Sequence, residues 1–136
     1  MSSYPIAEIE GIGASYAGRL TAAGIRSTAA LLAACADPKG RKATATKTGI
    51  DDAKLLKWAN MADLMRIKGV GRQFAELLEA AGVDTVKELK HRKADALAQK
   101  CAEVNKAKKL TRAVPNATRV AAWIEQAKAL PPALTY

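Results

Sequence analysis

Two short segments carry residue types at spacings that could hold an anion. Residues 9–13 read Ile-Glu-Gly-Ile-Gly, and residues 67–71 read Ile-Lys-Gly-Val-Gly. Each has two glycines one residue apart: Gly11 and Gly13 around Ile12, and Gly69 and Gly71 around Val70. Glycine adopts the tight backbone that such a turn needs and lets a ligand approach the main chain. The apolar residue between the glycines points inward and pins the turn. The helix that follows begins with amides that have no partner in their own helix, and such amides favour an anion such as phosphate.

The charges around the two turns differ. Glu8 and Glu10 flank the first, with Ala14 and Ser15 after it, and two carboxylates repel a phosphate. Arg66 and Lys68 flank the second, with Arg72 and Gln73 after it. Lys68 and Arg72 bracket Gly69-Val70-Gly71, where they reinforce the amides with charge. The candidate nucleic-acid contacts are therefore Lys68, Gly69, Val70, Gly71, Arg72 and Gln73. Gly11, Ile12 and Gly13 read as a structural or partner-facing turn. Secondary basic candidates are Arg41 and Lys42, with Lys39 and Lys47 nearby, and Lys106, Lys108 and Lys109, followed by Arg112. The ordinary reading of such runs is a solvated helix face.

The resemblance between the two turns extends downstream. Ile9 to Leu31 aligns without gaps to Ile67 to Leu89, with nine identical residues in 23 positions. A duplication of this kind governs how the fold is read. Around it the chain reads as helices. Ser2, Ser3 and Pro5 open a short helix ending near Ile9. Ala14–Ala23 follows, and Gly24 stops it. Ser27 caps Thr28–Ala34. Asp37-Pro38 starts a basic segment, Lys39–Lys47, whose helical pattern is weak and which Gly49 ends. Asp51 caps a helix from Asp52 to about Arg66. The second half predicts helices over Arg72–Ala81, Val86–His91 after Thr85, Ala94–Lys109, and Ala117–Leu130 after Asn116. Pro131-Pro132 stop the last helix, and the tail frays.

Trp58 and Trp123 occupy matching places in the final helix of each half and read as core anchors rather than base-stacking platforms. The Leu31–Trp58 separation is 27 residues and the Leu89–Trp123 separation is 34. The difference is close to two helical turns, a length that extends a helix while keeping its apolar face aligned.

At 136 residues, nearly half of them apolar, the chain is expected to fold as one compact domain or two small ones sharing a core. It is rich in alanine and poor in aromatics, which favours closely packed helices. The expected fold is all-α: two hairpin repeats, 1–66 and 67–130, packed as one helical domain, with 131–136 as a tail. The net charge of +9 falls mainly on residues 37–60 and 83–112 and points to an anionic partner. Cys35 and Cys101 lack metal or redox spacing and read as buried thiols. The lone His91 lies among Lys90, Arg92 and Lys93, and no Ser/His/Asp set or carboxylate cluster appears. Asp51, Asp52 and Asp63 read as cap and surface residues. These features argue against an enzyme and against a metal site. No apolar run reaches 18 residues and no segment resembles a signal peptide, so a soluble, cytoplasmic protein without a membrane partner is expected.

The pattern apolar-x-Gly-apolar-Gly-x-x-x-Ala-x-x-Leu resembles the helix-hairpin-helix motif. Both copies fit it: Ile9, Gly11, Ile12, Gly13, Ala17, Leu20, and Ile67, Gly69, Val70, Gly71, Ala75, Leu78. The chain as a whole is similar to a domain-of-unknown-function family of small bacterial tandem helix-hairpin-helix proteins. The marks are Ile9–Gly13, Leu56-Lys-Trp58, Ala62–Gly71, Glu76–Gly82 and Trp123–Ala127. That resemblance implies the fold and no established activity. More distant likeness is to the hairpin domains of DNA repair and recombination proteins, which grip duplex backbones. An extrinsic subunit of photosystem II resembles the same double-hairpin fold with no nucleic acid, so fold alone does not settle function.

The reading that follows is sequence-independent binding of nucleic acid, DNA foremost, through the second turn. The alternative is a non-enzymatic protein-interaction or scaffold module, with an acidic protein as partner. No cofactor and no small-molecule substrate is implied, although the carbonyls of such a turn are compatible with a monovalent cation.

Overall fold

A computed structural model describes residues 3–136. Within them the chain forms a 3-10 turn at Ile6–Glu8 and eight helices: α1 Ala14–Ala22, α2 Thr28–Ala34, α3 Pro38–Thr48, α4 Asp52–Leu64, α5 Arg72–Ala80, α6 Val86–Leu89, α7 Ala94–Lys108 and α8 Ala117–Ala129. A single backbone bridge joins Pro5 to Ser27. The protein is all-helical. Ser2, expected to help open the first helix, lies outside the described residues.

Local chemistry explains most of the boundaries. The side chains of Ser27, Thr85 and Asn116 accept bonds from the amides of Ala30, Glu88 and Arg119, and Asp37 accepts from Gly40 with Pro38 at the first helical position. Each such cap contributes about 1 kcal/mol. Asp51 occupies the expected cap position of α4, but its side chain makes no cap bond.

The basic segment with the weak pattern is a full helix, α3. Its inward residues are Arg41 and Thr44 rather than aliphatics, so hydrophobic periodicity could not reveal it. Gly49 ends it at a φ of 72°, in the left-handed region that glycine tolerates.

α2 and α3 pack on α4, while α6 and α7 pack on α8; α5 touches both α4 and α7 and joins the halves. One continuous apolar cluster runs through both, including Leu20, Leu31, Leu55, Leu78 and Leu89. The extra residues of the second half divide between two places. α7 has 15 residues against 11 in α3, and residues 109–116 link it to α8 where 49–51 link α3 to α4, while the stretch from the start of α6 to the start of α7 is two residues shorter than that from α2 to α3. The insertion thus builds a loop as well as a longer helix.

The expectation of a frayed tail is overturned. Leu134 is buried, the Thr135 amide donates to the Ala36 carbonyl at 2.8 Å, and the Tyr136 hydroxyl donates to Asn60 Oδ1 at 3.1 Å. Two prolines stop α8 but then direct the chain back across the first half. No described helix is long and apolar enough to cross a membrane.

Candidate functional site

The two glycine turns have the same backbone. Gly11 and Gly69 both have a φ of 94°, which L side chains rarely adopt. The Ile12 amide donates to the Ile9 carbonyl at 3.1 Å, and the Val70 amide to the Ile67 carbonyl at 3.0 Å. Ile12 and Val70 are buried, as the sequence pattern requires. Gly13 and Gly71 then stand in extended conformation at the N-caps of α1 and α5, and neither helix start is capped by a side chain. The first-turn amides of both helices therefore have no partner within their own helix.

A tryptophan lies behind each turn. A Cβ placed on Gly11 would stand 3.3 Å from Trp58 Nε1, and one on Gly69 would stand 3.4 Å from Trp123 Nε1. Both tryptophans are core residues, 3% and 2% exposed. Tyr16 meets Trp58 edge-on with ring centres 5.1 Å apart, and Phe74 meets Trp123 at 5.2 Å. The rings anchor the turns to the core and offer no open face for a base.

The surroundings of the two turns diverge. Glu10, beside Gly11, accepts from Arg72 Nε at 2.6 Å. The guanidinium expected to serve the second turn is thus paired with a carboxylate of the first. Both side chains are half-exposed, so the pair contributes about 0–1 kcal/mol. Glu10 and Gly11 also line a cleft of about 410 Å³ with Lys57, Glu76, Glu79 and Lys108. Burial, then repulsion from Glu10, pushes the Glu76 carboxyl above its ordinary range, against the opposing pull of Arg72. Lys108 lines this mixed cleft instead of widening the second turn's surface.

At the second turn, Gln126 of α8 takes the Lys68 peptide from both sides. Its Oε1 accepts from the Lys68 amide at 2.9 Å, and its Nε2 donates to the Lys68 carbonyl at 3.2 Å. The Tyr4 hydroxyl donates to the Val70 carbonyl at 3.4 Å. These bonds fix the turn and leave the Lys68 side chain in solvent; Gly69 and Gln73 are also exposed. Sequence reading missed Arg119. It is exposed on α8, and its guanidinium carbon lies 4.8 Å from the Phe74 ring centre and 5.9 Å from that of Trp123. The available signal was its position four residues before Trp123, on the same helix face.

Two expected cations are withdrawn from the surface. Arg66, taken as a flank of the second turn, is 6% exposed; Nη1 donates to Asp63 Oδ1 and Nη2 to the Pro131 carbonyl, each at 2.8 Å. Asp63, expected as a cap or surface acid, is 2% exposed and also accepts from the Val86 amide at 2.8 Å. Arg41, a secondary phosphate candidate, is 4% exposed and donates to the Cys35 carbonyl at 3.0 Å. Its charge is spent inside the fold, whereas neighbouring Lys42 is exposed. Lys106 and Lys109 are exposed at the C-terminal end of α7.

Cys35 and Cys101 are buried free thiols, and burial pushes both up. Among the described residues, no group of three His, Cys, Asp or Glu side chains is placed to hold a metal.

Over residues 10–130, the chain matches a protein family described as a domain of unknown function (DUF4332). No curated protein and no solved structure matches it.

Proposed function

The chain belongs to the DUF4332 family, and on that premise we propose that it binds nucleic acid, duplex DNA foremost, by gripping phosphates at its second glycine turn. In this reading both turns are helix-hairpin-helix units, and only one of them is a binding unit. The observation that carries the proposal is the company of the α5 N-terminus: uncapped amides, with the exposed cations Lys68 and Arg119 beside a turn that Gln126 holds rigid. Amides and a flexible lysine recognise phosphate geometry, which carries no sequence information, so binding is sequence-independent. The net charge of +9 supports an anionic partner of extended charge. The activity is binding rather than catalysis, in the cytoplasm.

A mobility-shift titration at low and moderate salt tests this reading. The wild type retains a short duplex at low salt and releases it steeply as salt rises. Lys68→Glu combined with Arg119→Glu weakens retention at every salt concentration and flattens the salt dependence. Equal retention by both proteins would remove the second turn from the mechanism.

One observation favours a second reading, a protein-docking role. An apolar cavity of about 380 Å³ opens between α2, α4 and the C-terminal segment, lined by Ala29, Leu32, Ala36 and Ala133 among others. Pull-down after nuclease treatment separates the two readings: partners that vanish with nuclease sink the docking role.

A further inference from the structure

Trp123 is a buried residue whose indole carries one N–H donor. Its indole N–H finds no acceptor among the described residues, although the side chain is 2% exposed. A buried indole N–H ordinarily finds a partner. Every fully enclosed side-chain nitrogen or oxygen in the described residues does have one. The indole nitrogen is therefore not fully enclosed. It lies against Gly69: Nε1 is the atom closest to where a side chain at Gly69 would begin, at 3.4 Å. The absent Cβ leaves a notch in the exposed turn, with the indole nitrogen behind it.

Four features make this notch suited to an oxyanion. Lys68 precedes it with an exposed ammonium, and the uncapped start of α5 follows it. The Arg119 guanidinium lies over the same indole ring, which keeps a cation beside the ring. Gln126 holds the Lys68 peptide on both sides, so the wall of the notch is fixed before any ligand arrives. The matching indole of Trp58 stands behind Gly11 at nearly the same distance, but there the preceding residue is Glu10, paired with Arg72, rather than an exposed lysine.

We infer that the indole N–H of Trp123 donates to a phosphate oxygen held at the second turn, and that the glycine at position 69 is the aperture through which the oxygen reaches it. The inference rests on the phosphate-gripping reading above and adds to it the ring that bears the third type of donor. Lysine supplies charge, the α5 amides supply direction, and the indole supplies a donor that admits only an oxygen small enough to enter the notch.

The chain has two tryptophans, so its proton–nitrogen correlation spectrum holds two indole signals, assigned with Trp58→Phe. A short DNA duplex and, separately, inorganic phosphate are titrated into the wild-type protein, with duplex retention read by mobility shift on the same samples. The Trp123 signal moves with either probe and the Trp58 signal stays. Trp123→Phe, which keeps a ring but removes the donor, weakens duplex retention about fivefold, the loss of roughly one hydrogen bond. Duplex retained with a still Trp123 signal, or with both signals moving alike, overturns the inference and leaves the phosphate-gripping reading standing. Phosphate moving the signal without duplex retention supports the oxyanion notch and removes nucleic acid as its source. A signal that neither probe moves overturns the inference.

Discussion

At the first turn Glu10 reaches across to Arg72 of the other half; at the second, Gln126 holds the Lys68 peptide in place and leaves the lysine side chain to solvent. The backbones are the same, down to a φ of 94° at Gly11 and Gly69 and an indole behind each. Backbone geometry therefore does not decide which turn can bind. The side chains around it do. The first turn joins the halves through an ion pair and a mixed-charge cleft. The second is braced from behind and open in front.

The two halves also secure their second helices by different means. The first amide of α2, on Thr28, donates to the Tyr4 carbonyl at 2.8 Å, and Thr28 Oγ1 accepts from the Tyr4 amide at 3.0 Å. The corresponding amide of α6, on Val86, donates to the Asp63 carboxylate. In the first half the N-terminal segment offers its backbone groups there; in the second, α4 offers the Asp63 side chain. A buried carboxylate takes over that task, and Arg66 neutralises it.

This contrast can be broken experimentally, and the largest expected effect lies in the second half. Asp63→Ala leaves the Arg66 charge buried without its partner and the Val86 amide unmet, so urea unfolding should register a loss of about 3–5 kcal/mol. Thr28→Ala in the first half removes one neutral bond and should register about 1 kcal/mol. Comparable losses would mean that the halves are secured alike.

Gly11→Ala and Gly69→Ala come next. Each forces a side chain into a disfavoured φ and against an indole nitrogen, and each should lose about 1–2 kcal/mol. The two losses should agree, because the backbones do. Only Gly69→Ala should also weaken duplex retention, since it closes the notch.

Glu10→Gln sharpens the comparison in the other direction. It frees Arg72 from an exposed pair worth about 0.2–1 kcal/mol. Duplex affinity, measured by fluorescence anisotropy at low salt, should rise up to about fivefold. An unchanged affinity would mean that Arg72 is too far from the ligand to matter.

The smallest effect concerns pH. The Glu76 carboxyl is held above its ordinary range in the folded chain, so ionising it opposes folding. The uncharged form's stability is fully present below the ordinary carboxylate range and is lost as pH rises through the raised folded value. Glu76→Gln should thus raise the urea midpoint slightly at neutral pH and leave it unchanged at strongly acidic pH.

What could be read from sequence was local. Caps at Ser27, Asp37, Thr85 and Asn116, and the glycine turns, depend on residues within a few positions of one another. Burial of charge is not local. Arg66, Arg41 and Asp63 look like surface residues until the fold brings Pro131, Cys35 and Val86 to them. The bond between Glu10 and Arg72 spans 62 residues, and that between Lys68 and Gln126 spans 58. The second turn was legible as the more basic one, but two of its three expected cations are engaged by carboxylates. Arg119, which stands near it, was hidden in a helix read for its tryptophan.

The most direct test of the central claim follows the backbone amides of both turns while a short duplex is titrated in at low salt. The account predicts that the amides of Gly69, Gly71, Arg72 and Gln73 shift, while those of Gly11, Gly13, Ala14 and Ser15 stay in place. Equal shifts at both turns, or shifts confined to the first, would contradict it.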